Sequence, residues 1–119
     1  MDHGKVVPIT RSTLLIFDIN KVLVSRRSLS TQYKIRPFVK EFLIRISKLF
    51  TIAVWTSARK KSVVHIINEL FHENGVPLAF QWYQEKCTEI HQDDSVVLVK
   101  DLAHVWRSFP RFNSSNTVS

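Results

Sequence analysis

Three places in the sequence set a polar, reactive side chain directly after a short apolar run. Asp18 follows Leu14-Leu15-Ile16-Phe17, Thr56 and Ser57 follow Thr51-Ile52-Ala53-Val54-Trp55, and Lys100 follows Val96-Val97-Leu98-Val99. A carboxylate can act as a nucleophile or a metal ligand. A hydroxyl and an ammonium suit the oxygens of an anionic substrate. Ligands of open α/β sheets bind beyond the carboxyl ends of the strands. Asp18, Thr56, Ser57 and Lys100 are therefore expected to converge at one rim. Polar residues also end strands simply as caps and turns, and spacing alone does not separate the two readings.

The elements that would carry these residues can be read from apolar periodicity. Leu14–Phe17 is a continuous apolar run, as in a strand buried on both faces. Val22-Leu23-Val24 follows it, and Ser25 to Lys34 reads as a loop. Pro37 stands where a first helical residue would stand. After it Phe38, Phe42, Leu43, Ile46, Leu49 and Phe50 recur at helical spacing, and the phenylalanines are expected in the core. Ser57 reads as the N-cap of a second helix, with Val63, Ile66, Ile67, Leu70 and Phe71 on one side and Gly75 as its stop. Leu78 to Tyr83 and Val96 to Val99 read as further strands. Asp101 is placed to cap a short helix through Leu102, Val105 and Trp106, which Pro110 ends. Alternating strands and helices argue for an α/β domain over residues 1–119, with a parallel sheet and right-handed crossovers.

Composition narrows the classes of function. Apolar residues make up 45% and charged residues 23%, which is globular and not disordered. Gly4 and Gly75 are the only glycines, too few for a P-loop or a dinucleotide fingerprint. Cys87 is the only cysteine, so no intrachain disulfide forms and a reducing compartment is expected. No apolar run reaches the roughly 18 residues of a membrane span, and Met1 to Ser12 lacks a secretory signal's apolar core. The net charge of +7 favours acidic or phosphorylated partners. Basic residues come in short groups such as Arg26-Arg27 and Arg59-Lys60-Lys61, so no specific nucleic-acid partner is expected. Cys87 and His91 make half a zinc spacing, and His65 and His72 stand about 10 Å apart along a helix, too far for one ion. Trp55, Trp82 and Trp106 read as packing rather than as a stacking platform.

Several ordered motifs resemble one family. Leu14 to Val24, with Asp18 and Asn20, is similar to the first motif of the haloacid dehalogenase superfamily, Asp-x-Asp-x-Thr/Val after a strand. Arg36-Pro37-Phe38, Trp55-Thr56-Ser57-Ala58, Gln84 to Cys87 and Lys100-Asp101-Leu102 resemble its small CTD phosphatase-like branch, the NLI-interacting-factor-like phosphatases. Ser115 to Val118 resembles the lead-in to that branch's fourth motif. The likeness spans residues 13 to 118. It implies a three-layer α/β sheet flanked by helices and a phosphoserine or phosphothreonine phosphatase working through an aspartyl-phosphate. Asp18 would be the nucleophile. Thr56, Ser57 and Lys100 would hold the phosphate, with Lys100 neutralising its charge. Asp18 and the backbone carbonyl of Asn20 would meet Mg²⁺.

The sequence departs from that pattern twice. Asn20 stands where the family has its general acid, and an amide cannot give and take back a proton. The sequence also stops at Ser119, ahead of the fourth-motif Asp-Asp-Ser and its metal ligand. The expected domain is thus C-terminally incomplete, with motifs one to three, Mg²⁺ held weakly or not at all, and impaired activity. Its first strand would be an exposed edge inviting self-association. Gln92-Asp93-Asp94-Ser95 imitates the absent motif, but precedes an apolar run and reads as a loop. A phosphorylated or acidic protein segment is the expected partner, in nucleus or cytoplasm. The alternative is a non-enzymatic peptide-binding domain resembling the receptor subunit of the mitochondrial inner-membrane presequence translocase.

Overall fold

A four-stranded parallel sheet, in the order Gln81–Trp82, Thr51–Trp55, Leu14–Phe17 and Thr117–Val118, organises the chain. The structure, a computed structural model, describes residues 12–19, 24–26 and 33–119. Strand β1 (Leu14–Phe17) lies inside the sheet. On one side it pairs with β4 (Thr51–Trp55), Leu14 opposite Thr51 and Phe17 opposite Val54. On the other it pairs with β8 (Thr117–Val118), Leu14 opposite Thr117 and Leu15 opposite Val118. The expected exposed first strand is therefore corrected at Leu14 and Leu15, where the Asn116 to Val118 segment covers it. Its Leu14 N–H donates to the Asn116 carbonyl at 2.8 Å.

The period of two along β1 and β4 divides the core into two layers. Ile52 and Val54 face helix α1 (Val39–Ile46) and helix α2 (Lys60–Ile67), meeting Leu43, Ile46, Val63, Ile66 and Phe71. Leu14, Ile16, Ala53 and Trp55 face the opposite way, towards Phe80, Trp82 and Val105 of helix α3 (Leu102–Ser108). Helices thus cover both faces of the sheet, the three-layer arrangement expected. Five π-helical residues, Asn68–His72, continue α2, and Gly75 follows at φ 71°. The left-handed conformation there is open to glycine at no steric cost.

Several elements differ from the sequence-based expectation, each for a physical reason. The first helix is confined to Val39–Ile46, because positions 39, 43 and 46 share a face and the positions one residue earlier lie about 100° away. Phe42 falls on that other face and Phe38 precedes the helix as its left-handed N-cap (φ 66°); they stay 49% and 78% exposed, so they are not core. Part of the expected 25–34 loop is a ribbon, β2 (Val24–Arg26) antiparallel to β3 (Tyr33–Ile35). The Leu78–Tyr83 strand shrinks to β5 (Gln81–Trp82). Val96 to Val99 does not join the main sheet. It belongs to β7 (Ser95–Val99), which pairs antiparallel with β6 (Thr88–Gln92) in a separate, exposed hairpin. Asp93, at φ 52°, and Asp94 make its turn, while Gln92 and Ser95 pair as the strand ends, so the expected 92–95 loop shrinks to those two residues. No helix among the described residues is long and apolar enough to cross a membrane.

Tyr83 closes the α1–α2 layer, buried, with its hydroxyl donating to Gln81 Oε1 at 3.1 Å. Burial, and secondarily the Glu85 charge, push its phenol above the ordinary value of 10.0. Above that pH the unfolded chain releases the proton and the folded chain keeps it. Stability is therefore full below about pH 10 and falls as pH rises through the folded-state value. Urea midpoints between about pH 9 and about pH 11 should fall more steeply for the native protein than for Tyr83→Phe. Equal slopes would remove Tyr83 as the cause.

Candidate active site

Asp18 leaves the carboxyl end of β1, the interior strand, and its side chain is about four-fifths buried. Lys100 leaves the end of the β6–β7 hairpin, and its Nζ donates to Asp18 Oδ2 at 2.8 Å. The two are 82 residues apart in sequence. Fixing a long lysine side chain costs rotamer entropy, and partial burial strengthens the pairing over that of an exposed ion pair. Lys100 reaches the rim from a hairpin and not from a parallel strand as expected. The Asp101 side chain accepts from the Ala103 N–H at 3.0 Å and starts α3 directly behind it.

Thr56 stands at the end of the adjacent parallel strand. The register sets Phe17 beside Val54, so Asp18 and Thr56 emerge from neighbouring strands one residue out of step. Thr56 is 1% exposed. Its Oγ1 accepts from the Ala58 N–H at 3.1 Å, and its own N–H donates to the Trp82 carbonyl at 3.0 Å. These bonds shape the turn into α2. Ser57 is exposed and does not cap that helix; Arg59 is its N-cap and makes no side-chain cap bond. The cap expected of Ser57 is replaced by the turn that the Thr56 hydroxyl closes. Asn20 lies outside the described residues, as do Lys21 to Leu23.

A cavity of about 470 Å³ opens beside the Asp18–Lys100 pair, with walls from Ile16, Phe42, Trp55 and Val118. Trp55, 1% exposed, lines it, and its Nε1 has no acceptor among the described residues. A buried donor without an acceptor costs about 1–3 kcal/mol, and no local pattern signals it, because Trp55 reads as packing in any buried strand. Among the described residues no group of three His, Cys, Asp or Glu side chains could hold a metal ion. Among the described residues Asp18 is the one carboxylate lining this cavity, and Lys100 pairs with its Oδ2. The described residues alone thus do not fit the Mg²⁺ site that the resemblance implies.

The sequence model of a family described as NLI interacting factor-like phosphatase matches residues 13–119. The chain belongs to that family. Curated protein sequences give no match. Among solved structures the chain is similar to that of Fcp1, an essential RNA polymerase II CTD phosphatase, with TM-score 0.60 and 13% identity over 92% of this chain. It is similar to the same degree to a single-site variant of fission yeast Fcp1 bound to beryllium fluoride, again at TM-score 0.60 and 13% identity over 92% of this chain. The chain spans 37% and 36% of those two structures. At this identity the likeness establishes the α/β fold.

Proposed function

We propose that Asp18, Thr56 and Lys100 form a phosphomonoester site of the phosphoprotein phosphatase type, with turnover limited by Asn20. The observation that carries this reading is the 2.8 Å contact of Lys100 with Asp18, held at the end of an interior strand. Asp18 attacks phosphorus, and the bond from phosphorus to the leaving oxygen breaks. Lys100 orients the carboxylate and offsets the negative charge gathering on the phosphoryl oxygens. The hydroxyl of Thr56, set on the neighbouring strand, donates to one of those oxygens. Phosphoserine and phosphothreonine segments of proteins are the substrate class.

The leaving oxygen needs a proton, and water needs a base when the aspartyl-phosphate is later cleaved. Asn20 can do neither, since its amide does not titrate. Acid–base assistance is worth roughly 10²–10⁴-fold, and an aryl leaving group needs least of it. The native chain should therefore cleave an activated aryl phosphate slowly and a phosphoserine peptide hardly at all. Asn20→Asp should narrow the aryl-to-serine rate ratio by up to about 10²–10⁴-fold. The ratio, taken within each protein, cancels any shared defect in binding. A native chain that turns over both substrates alike would refute the role given to Asn20. Binding of the phosphopeptide without turnover of either substrate would favour a peptide-binding domain.

A further inference from the structure

The Thr56 turn runs directly into three consecutive cations, Arg59, Lys60 and Lys61. All three are exposed, and none takes part in an ion pair among the described residues. Nothing in the first turn of α2 is acidic. Like charges on successive residues repel, and cations beside the positive end of a helix are disfavoured by a few tenths of a kcal/mol each. The fold therefore gains nothing local from the cluster. The segment is also held in place. The Gln84 N–H donates to the Ala58 carbonyl at 3.0 Å, and the Ser62 N–H to the Arg59 carbonyl at 3.0 Å. The adjoining 84–86 turn brings one carboxylate, Glu85, and one further cation, Lys86, which lies over the Trp82 ring at 5.2 Å. Among the described residues the rim beside Thr56 is left with an uncompensated positive charge on a fixed support.

We infer that Arg59, Lys60 and Lys61 select phosphorylated segments whose neighbouring residues are acidic or themselves phosphorylated. This rests on the phosphate site described above and adds a second, flanking subsite to it. A segment with its phosphate between Asp18, Thr56 and Lys100 would carry its flanking carboxylates across the three cations. The recognition is electrostatic and surface-exposed, so it should fade with salt.

Four fluorescent probes of equal length test this by anisotropy with the full chain. They are a phosphoserine peptide with neutral flanks, the same peptide with three acidic flanking residues, that acidic peptide without phosphate, and a single-stranded oligonucleotide of matched charge. The acidic flank should tighten phosphopeptide binding roughly tenfold at about 50 mM salt, and two- to threefold at about 300 mM. The variant Arg59→Gln/Lys60→Gln/Lys61→Gln, checked for unchanged thermal unfolding, should lose that gain and bind the neutral phosphopeptide as the native chain does. Lys100→Met should weaken both phosphopeptides in proportion and keep the gain from the flank. A flank effect that is absent, or that survives in the triple variant, overturns the inference. So does an oligonucleotide that binds as tightly as the acidic phosphopeptide. If phosphate adds nothing while the flank still acts through residues 59–61, the phosphate site is wrong and the acidic-segment subsite stands.

Discussion

If the proposed phosphomonoester site holds, Asp18→Asn should abolish two signals expected of the native chain: turnover of an activated aryl phosphate and the binding of beryllium fluoride. The substitution keeps the side chain's shape and removes its charge and nucleophilic oxygen. Removing a covalent nucleophile costs rates of about 10³-fold or more, because the other groups act only through it. Beryllium fluoride mimics an acyl-phosphate by bonding to a carboxylate oxygen, so its binding reads the same atom without requiring turnover. Fluorine NMR would report the bound species, and a thermal shift its effect on stability. Loss of both signals fits attack by Asp18. Undiminished turnover in Asp18→Asn would place the nucleophile elsewhere and leave the Lys100 contact as a structural ion pair.

Phe71→Ala should be the most costly single truncation in the core. Phe71 is fully buried where the π-helical segment packs under the sheet, and its backbone carbonyl accepts from both Asn74 and Val76. Truncating a buried phenylalanine costs about 3–5 kcal/mol in lost transfer energy and residual cavity. Against a domain stability of about 5–15 kcal/mol, that leaves a chain close to unfolding. Urea midpoints should drop sharply with little change in slope. The contrast is Phe42→Ala on the exposed face of α1, expected within about 0.5 kcal/mol. Similar losses at the two positions would mean that the division of the phenylalanines between core and surface is wrong.

The sequence made the sheet legible where an apolar run had an unbroken period, and failed where several elements shared similar composition. Ile52–Trp55 is buried on both faces and Leu14–Phe17 is buried on one and partly buried on the other, and continuous apolar runs report that directly. Val96–Val99 is just as apolar but lies in an exposed hairpin, and only its partner shows this, since Thr88 to Gln92 is polar at most positions. The helix beginning after Pro37 carries more apolar residues than one face can bury. Period counting cannot tell that Leu43 and Ile46 win the core and Phe38 and Phe42 do not. Asp18 and Lys100 were readable as strand-end residues, whereas their 2.8 Å contact depends on how the hairpin returns to the rim. That the Nε1 of Trp55 finds no acceptor among the described residues depends on packing that no local pattern encodes.

Strand β1 takes one neighbour early and the other late, and this bears on the order of assembly. Leu14 meets Thr51 after one crossover, but meets Thr117 only once the last described strand has formed. Closing the longer loop costs about 1 kcal/mol more than the shorter one. The β1–β4 pair and the helices on its α1–α2 face can nucleate before β8 exists. A ribosome-bound chain would hold Leu14 and Leu15 half-paired until Thr117 and Val118 emerge. Lys100 comes from that same late segment, so its pair with Asp18 is expected to form only after most of the core is already in place.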